Sequence, residues 1–153
     1  MILGAAALLG GCAANRRPRV ASATAPRVLF VCQFGSVKSA VAREIFRRRA
    51  TERRLGVSVQ SRGITPEEHA SPALAAALRS EGLDRHADPL RALQPGDLVA
   101  ADVIILFDPL PSGLNSARAR DWSDLPSMNA DYPAARADLV GRIDRLIDEL
   151  AAL

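Results

Sequence analysis

An uninterrupted apolar run, VLFVC at residues 28–32, ends at a cysteine. β-Branched and aromatic residues without polar alternation are typical of a strand buried on both faces of a parallel sheet. Residues 39–54 follow with apolar side chains at helical spacing. A strand that leads through a short loop into a helix is the repeating unit of α/β proteins, so this segment indicates an α/β fold.

The alternation of strands and helices continues along the chain. Residues 57–61 alternate like a second strand, and residues 103–107 form another buried run. Residues 71–72, Ser-Pro, are typical of a helix start, and residues 133–150 carry apolar side chains at helical spacing. We therefore predict one α/β domain over residues 27–153, a small parallel β-sheet with helices on both faces. Ligands of such sheets bind at the carboxyl ends of the strands.

The first 26 residues differ from the rest of the chain in composition. Residues 1–11 are uncharged and mostly apolar, a run too short to span a bilayer but typical of a secretory signal. Cys12, which follows a Leu-Gly-Gly sequence, resembles the lipidated cysteine of bacterial lipoproteins. We predict a signal and tether over residues 1–26, with membrane attachment through Cys12 on the periplasmic side. A cytoplasmic location stays open, because no positive charge precedes the apolar run.

Charge and metal-ligand spacing argue against two classes of function. The formal net charge is only +3, with both signs mixed along the chain, and gives no argument for nucleic-acid binding. His69 and His86 are not at metal-ligand spacing from Cys12 or Cys32, so a structural zinc site is not expected. We predict neither a metal nor a cofactor, and the oligomeric state stays open.

The loop between the first strand and its helix is suited to binding an oxyanion. Its amide N–H groups point into one concavity at the helix N-terminus, where the helix dipole favours negative charge. Cys32 in that field is favoured as the nucleophilic thiolate, Ser39 can donate a hydrogen bond to the sulfur, and Lys38 would neutralise a bound anion. We predict Cys32 and Lys38 as catalytic residues. The predicted phosphate-binding loop consists of Gln33, Phe34, Gly35, Ser36, Val37, Lys38 and Ser39.

The sequence VLFVCQFGSVKSAVAREIF at residues 28–46 resembles the signature of low-molecular-weight protein tyrosine phosphatases and the related thioredoxin-coupled arsenate reductases. In that family an apolar strand is followed by Cys, five residues, Arg, Ser and a helix. Ser-Arg-Gly at residues 61–63 is similar to the family's Ser-Ala-Gly. The Gly-Leu-Asp of residues 82–84 and the Ala-Asp of residues 101–102 also match. The resemblance implies a phosphatase acting on a phosphorylated protein, through phosphotyrosine, or on a small phosphomonoester, with a thiophosphate intermediate on Cys32.

Two positions in the loop depart from the family pattern. Lys38 stands where the family has arginine, and Gly35 stands where an asparagine usually braces the loop. Arginine holds two oxygens of an anion through a planar fork, whereas lysine is a strongly hydrated point charge. The departures leave open an alternative function, an oxyanion-binding or regulatory protein of the same fold with little turnover.

The general acid is a third departure. The family carries this acid in an Asp-Pro dipeptide after a tryptophan, but here Trp122 is followed by Ser-Asp-Leu-Pro. We predict Asp124 as the general acid by this analogy, with Asp131 as a second candidate. Asp108, although followed by proline, ends the third strand and comes too early in the chain for this role by analogy.

Arsenate reduction is the least favoured of the functions that the resemblance implies. That reaction normally needs further cysteines to resolve the cysteine–arsenic adduct. The predicted domain contains only Cys32.

Overall fold

The computed structural model describes residues 24–153. The predicted signal, most of the tether and Cys12 lie outside the described residues. Within residues 24–153, no helix combines the length and the apolar character needed to cross a membrane. The elements in chain order are β1 Arg27–Cys32, α1 Lys38–Glu52, β2 Ser58–Gly63, α2 Pro72–Ser80, α3 Pro95–Ala100, β3 Val103–Leu106, β4 Ala119–Asp121 and α4 Tyr132–Ala151.

The four strands form one parallel sheet in the order β2-β1-β3-β4. β1 is a central strand, and all of its residues after Arg27 are buried. Cys32 pairs in register with Gly63 at the end of β2, and Val31 pairs with Leu106 at the end of β3. The carboxyl ends of three strands therefore surround Cys32, and the predicted α/β fold is confirmed.

Alternate residues of β1 contribute to two separate parts of the core, as the period of a strand requires. Val28, Phe30 and Cys32 pack with buried residues of α1, α2 and α4. Leu29 and Val31 pack on the opposite face of the sheet, where α3 lies. Helices cover both faces of the sheet, as predicted. Helix α1 begins at Lys38, after the loop that follows Cys32.

Two short elements were not predicted from the sequence. Helix α3 has six residues, fewer than two helical turns, and it begins with a capping box between Gln94 and Asp97. Strand β4 has three residues, and two of them, Arg120 and Asp121, are exposed at the sheet edge. Neither segment is long enough to show a hydrophobic period.

Candidate active site

The sulfur of Cys32 lies at the end of β1 among hydrogen-bond donors. Its Sγ is 3.1 Å from the hydroxyl oxygen of Ser39, 3.2 Å from the amide nitrogen of Gly35 and 3.5 Å from the amide nitrogen of Ser39. The Cys32 side chain is buried, and the amides of Gly35 and Ser39 donate to its sulfur. The Ser39 hydroxyl can be donor or acceptor in its contact with the sulfur. These groups place donors where a thiolate, the nucleophilic form of cysteine, would carry its charge.

The chain segment after β2 holds the carbonyl groups of the loop. The carbonyls of residues 32, 33 and 34 accept hydrogen bonds of 3.0, 2.8 and 3.1 Å from the amides of residues 64, 65 and 67. In a planar trans peptide the N–H points away from the preceding C=O, so fixing each carbonyl also fixes the next amide. Within residues 24–153, the amides of Phe34 and Val37 have no acceptor. These amides are available to the oxygens of an anion.

The cysteine and the loop line a cavity of about 180 Å³. The half-buried amine of Lys38 lies at this cavity and donates a 3.0 Å hydrogen bond to the carbonyl oxygen of Leu125. The structure therefore brings the predicted nucleophile and the predicted cation to one cavity. The cavity is lined by Cys32, Gln33, Phe34, Val37, Lys38, His69, Asp108, Ser127, Met128 and Asn129.

A strand-end thiol, a loop of open amides and a cation around one cavity are the arrangement that the sequence resemblance implied. The family model for low molecular weight phosphotyrosine protein phosphatases matches residues 27–118. The chain belongs to this family. A search of curated protein sequences gives no significant match.

Solved structures of the family share the fold at low sequence identity. YfkJ from Bacillus subtilis is 20% identical, with a TM-score of 0.69 over 84% of this chain and 96% of that chain. The low molecular weight protein tyrosine phosphatase from T. tengcongensis is 20% identical, with a TM-score of 0.66 over 82% and 99%. A thioredoxin-dependent arsenate reductase from Corynebacterium glutamicum is 21% identical, with a TM-score of 0.67 over 86% and 65%.

The structure explains why glycine replaces the phosphatase family's asparagine at position 35. Gly35 has a φ of +73°, and a Cβ there would lie 2.7 Å from the amide nitrogen of Gly63 and 2.8 Å from the Cδ1 of Leu90. The close approach requires a residue without a side chain, and the left-handed conformation also favours glycine. The loop and the end of β2 lie against each other here, and no asparagine side chain fits between them.

We expect Gly35→Asn to destabilise the protein by about 1–3 kcal/mol, because its Cβ forces the loop away from Gly63. The matched control is Gly113→Asn. Gly113 has a φ of +85° but no atom within 4 Å of its Cβ position. Both variants have asparagine in the left-handed conformation, and only Gly35→Asn adds the clash with Gly63. The difference between their free energies of unfolding in urea therefore measures the clash. Equal losses of stability would contradict the proposed close approach.

Neither carboxylate predicted as the general acid lines the cavity. Both carboxylate oxygens of Asp124 accept hydrogen bonds from Arg142, at 2.8 and 2.9 Å, and the Asp124 side chain is 75% exposed. The hydrogen bonds from Arg142 hold the pKa of Asp124 below its usual value, whereas a general acid needs a proton in place. Asp131 caps helix α4, where its Oδ1 accepts a hydrogen bond from the amide of Ala134.

A different carboxylate occupies the cavity. Asp108 lies two residues after the end of β3 and is half-buried, and its Oδ2 accepts a 2.8 Å hydrogen bond from the amide of Gln33. The rule that ligands bind at the carboxyl ends of strands favours Asp108 from the sequence. The analogy with the family argued against Asp108, because the family's general acid comes later in the chain. Asp108 lies beside the loop because β3 lies next to β1 in the sheet.

His69 is a second cavity residue that the sequence analysis did not assign. Its ring stacks on the ring of Phe34 at a centroid distance of 4.2 Å. Its amide donates to the hydroxyl of Ser36 at 3.0 Å, and its carbonyl accepts from the side chain of Asn129 at 2.9 Å. Phe34 and His69 therefore form a wall of the cavity. No sequence pattern marked His69, since it lies in a loop between β2 and α2.

Proposed function

We propose that this chain hydrolyses phosphomonoesters through covalent attack by Cys32. The observation that carries the proposal is the convergence of three donor atoms on the sulfur at a cavity lined by the loop. The loop amides of Phe34 and Val37, which have no acceptor within residues 24–153, supply donors for the oxygens of the phosphoryl group. The same arrangement provides a nucleophile and stabilisation for charge that develops in the transition state.

The reaction has two steps. In the first, the Cys32 thiolate attacks phosphorus, an S–P bond forms, and the P–O bond to the leaving group breaks. The leaving oxygen takes a proton from a general acid. In the second, the carboxylate left by the general acid takes a proton from water, the water oxygen attacks phosphorus, and the S–P bond breaks. Inorganic phosphate and the thiolate are released, and the general acid again carries its proton. Lys38 and the loop amides stabilise the equatorial oxygens in both steps.

Asp108 is better placed than Asp124 to protonate the leaving oxygen. Asp108 lines the cavity together with Cys32, whereas the ion pair with Arg142 holds Asp124 at an exposed position. As a general acid, Asp108 would have to carry a proton when the substrate binds. The proposal therefore transfers the role that the sequence analysis gave to Asp124 to Asp108.

The covalent intermediate provides the test of the proposed function. The full chain is mixed with para-nitrophenyl phosphate and quenched during the first turnover. We expect a burst of nitrophenol and a phosphoryl adduct on the peptide that contains Cys32, found by mass spectrometry. Phosphotyrosine is compared as a second substrate. Turnover without an adduct on Cys32 would refute this mechanism.

A second candidate function is anion binding with little turnover. The observation that favours it is the hydrogen bond from Lys38 to the Leu125 carbonyl, which occupies one of the three donors of the amine. In this case inorganic phosphate binds, but neither the burst nor the adduct appears. Arsenate reduction is not proposed, because Cys32 is the one cysteine within residues 24–153.

We expect Lys38→Arg to strengthen phosphate binding by about 1.5–3 kcal/mol, one charge-assisted hydrogen bond. A guanidinium has five N–H donors, so it can keep the Leu125 carbonyl as a partner and still reach the anion. Isothermal titration with inorganic phosphate measures the change, and Lys38→Ala is the comparison. Unchanged phosphate affinity in Lys38→Ala would show that Lys38 does not bind the anion.

The N-terminal segment lies outside the described residues, so processing there stays a prediction from the sequence. We expect cleavage before Cys12 and lipidation of its sulfur in a bacterial host. Mass spectrometry of the protein from the membrane fraction measures both modifications. An intact Met1 together with an unmodified Cys12 would contradict attachment to the membrane through this residue.

A further inference from the structure

The middle of the phosphate loop is held by a side chain rather than by the backbone. The carbonyls of residues 32–34 accept from backbone amides. The carbonyl oxygen of Ser36 instead accepts a 3.1 Å hydrogen bond from Nη1 of Arg85. The hydroxyl of Ser36 also accepts from the amide of His69. Both contacts come from outside the loop, and together they fix the orientation of the Ser36 residue.

The orientation of Ser36 determines where the next amide points. The N–H of Val37 lies on the opposite side of the planar trans peptide from the Ser36 C=O. With that carbonyl directed to Arg85, the Val37 N–H is turned away from Arg85. Val37 lines the cavity that contains Cys32, and its amide has no acceptor within residues 24–153. The Arg85 contact thus orients a donor available to the anion.

Arg85 is itself held firmly. Its side chain is 11% exposed and forms an ion pair with Glu68 at 2.5 Å. Its backbone carbonyl accepts a 2.9 Å hydrogen bond from Nη2 of Arg43, which is 2% exposed. Nη1 of Arg43 donates to the hydroxyl of Ser61 at 2.7 Å. The exposed carboxylate of Glu68 holds the guanidinium of Arg85 and the buried Arg43 holds its backbone, so both position Arg85 behind the loop.

Glu68 is ionised at neutral pH. Partial burial, the largest single effect, raises the pKa of this carboxyl. The hydrogen bonds from Arg85 and from the amide of Ala70, with the charges of Arg85 and His86, together outweigh burial, and the pKa lies below its usual value. His86 is 3.7 Å from the other oxygen of Glu68. Arg85 therefore bridges a carboxylate and the Ser36 carbonyl, and a planar guanidinium with several N–H groups can satisfy both acceptors at once.

We propose that Arg85 is a positioning residue of the phosphate loop, which sets the Ser36–Val37 peptide so that the Val37 amide faces the anion. The role rests on the proposed phosphatase function. Gly35 offers no side chain with which to brace the loop from within, and the Arg85 contact supplies a brace from outside. Arg85 does not touch the substrate in this account, and it acts through the Ser36 carbonyl.

The experiment compares Arg85→Gln and Arg85→Lys with Arg62→Gln in the full chain. Arg62 is a matched control, since its side chain is 12% exposed and ion-paired with Asp97 at 2.9 Å, but it makes no side-chain contact with the loop. Hydrogen exchange of the peptide that covers residues 33–38 measures how firmly Arg85 holds the loop, and this measurement does not depend on turnover. Titration with inorganic phosphate measures the anion affinity of the site, and hydrolysis of para-nitrophenyl phosphate measures its turnover.

We expect faster exchange of the loop peptide and about tenfold weaker phosphate binding in Arg85→Gln, as when one anion-binding amide turns away. Arg85→Lys should recover part of the affinity. Arg62→Gln should lower the melting temperature about as much as Arg85→Gln does. It should change neither the exchange of the loop peptide nor the phosphate affinity. Unchanged exchange and affinity in Arg85→Gln, or equal losses in Arg62→Gln, would overturn the positioning role. A parent protein that neither binds phosphate nor hydrolyses the ester refutes the proposed function instead.

Discussion

Cys32→Ser should abolish turnover of para-nitrophenyl phosphate, with a loss on the order of 10⁴-fold, while inorganic phosphate still binds. A serine hydroxyl is a far weaker nucleophile than a thiolate, and the donors around this position stabilise an anion that serine does not form at neutral pH. The donors are the amide of Gly35 and the amide and hydroxyl of Ser39. The loop, and not the sulfur, positions these donors, so we expect them to stay in place in Cys32→Ser.

Steady-state hydrolysis and phosphate titration on the same sample separate the chemical step from anion binding. The control is Ser39→Ala, which removes the hydroxyl donor at 3.1 Å but leaves the sulfur in place. We expect Ser39→Ala to slow turnover by about tenfold, the effect of one hydrogen bond to a charged group. Residual turnover of similar size in Cys32→Ser and Ser39→Ala would argue against covalent attack by Cys32.

The fold could be predicted because its central strands are unambiguous in the sequence. β1 and β3 are buried on both faces, so each appears as a run of apolar residues. α4 has an apolar stripe over five turns. β4 and α3 could not be predicted, because short elements at an edge are stabilised by tertiary contacts and carry no period of their own.

The candidate site could be predicted only where it is contiguous in sequence. Residues 32–39 form one loop, and the strand–loop–helix order alone places their amides beside the thiol. Asp108, His69 and Arg85 reach the loop through the sheet and the segments that follow β2 and α2. Asp108 lies beside the loop because Val31 of β1 pairs with Leu106 of β3. Such a register is a long-range property that one sequence does not show.

The general acid stays a prediction, because the family's order of motifs and the lining of the cavity favour different carboxylates. The analogy placed it after Trp122, and Asp124 is the nearest carboxylate there. The ring of Trp122 does lie in the core, 6.2 Å from Phe30 and 6.1 Å from Phe107. Asp124, two residues later, pairs with Arg142 on the surface. Trp122 thus packs against the core, whereas the carboxylate two residues later does not line the cavity.

Asp108→Asn should slow hydrolysis of phenyl phosphate by about 10²–10⁴-fold, the usual contribution of a general acid. The substitution is chosen because an asparagine oxygen can still accept the 2.8 Å hydrogen bond from the Gln33 amide. The loop is then held as before, and only the exchangeable proton is lost. Asp124→Asn is the matched control, and we expect its effect to stay within about twofold, because an exposed ion pair contributes little.

The leaving group decides whether Asp108 acts as an acid or only as a support for the loop. Phenolate is a poor leaving group and needs a proton in the transition state, whereas 2,4-dinitrophenolate leaves without one. Loss of a general acid should therefore slow phenyl phosphate far more than 2,4-dinitrophenyl phosphate. A loose loop should slow both esters equally and weaken phosphate binding as well. Equal losses for both esters in Asp108→Asn would refute Asp108 as the general acid. A larger loss for phenyl phosphate in Asp124→Asn would return the role to Asp124.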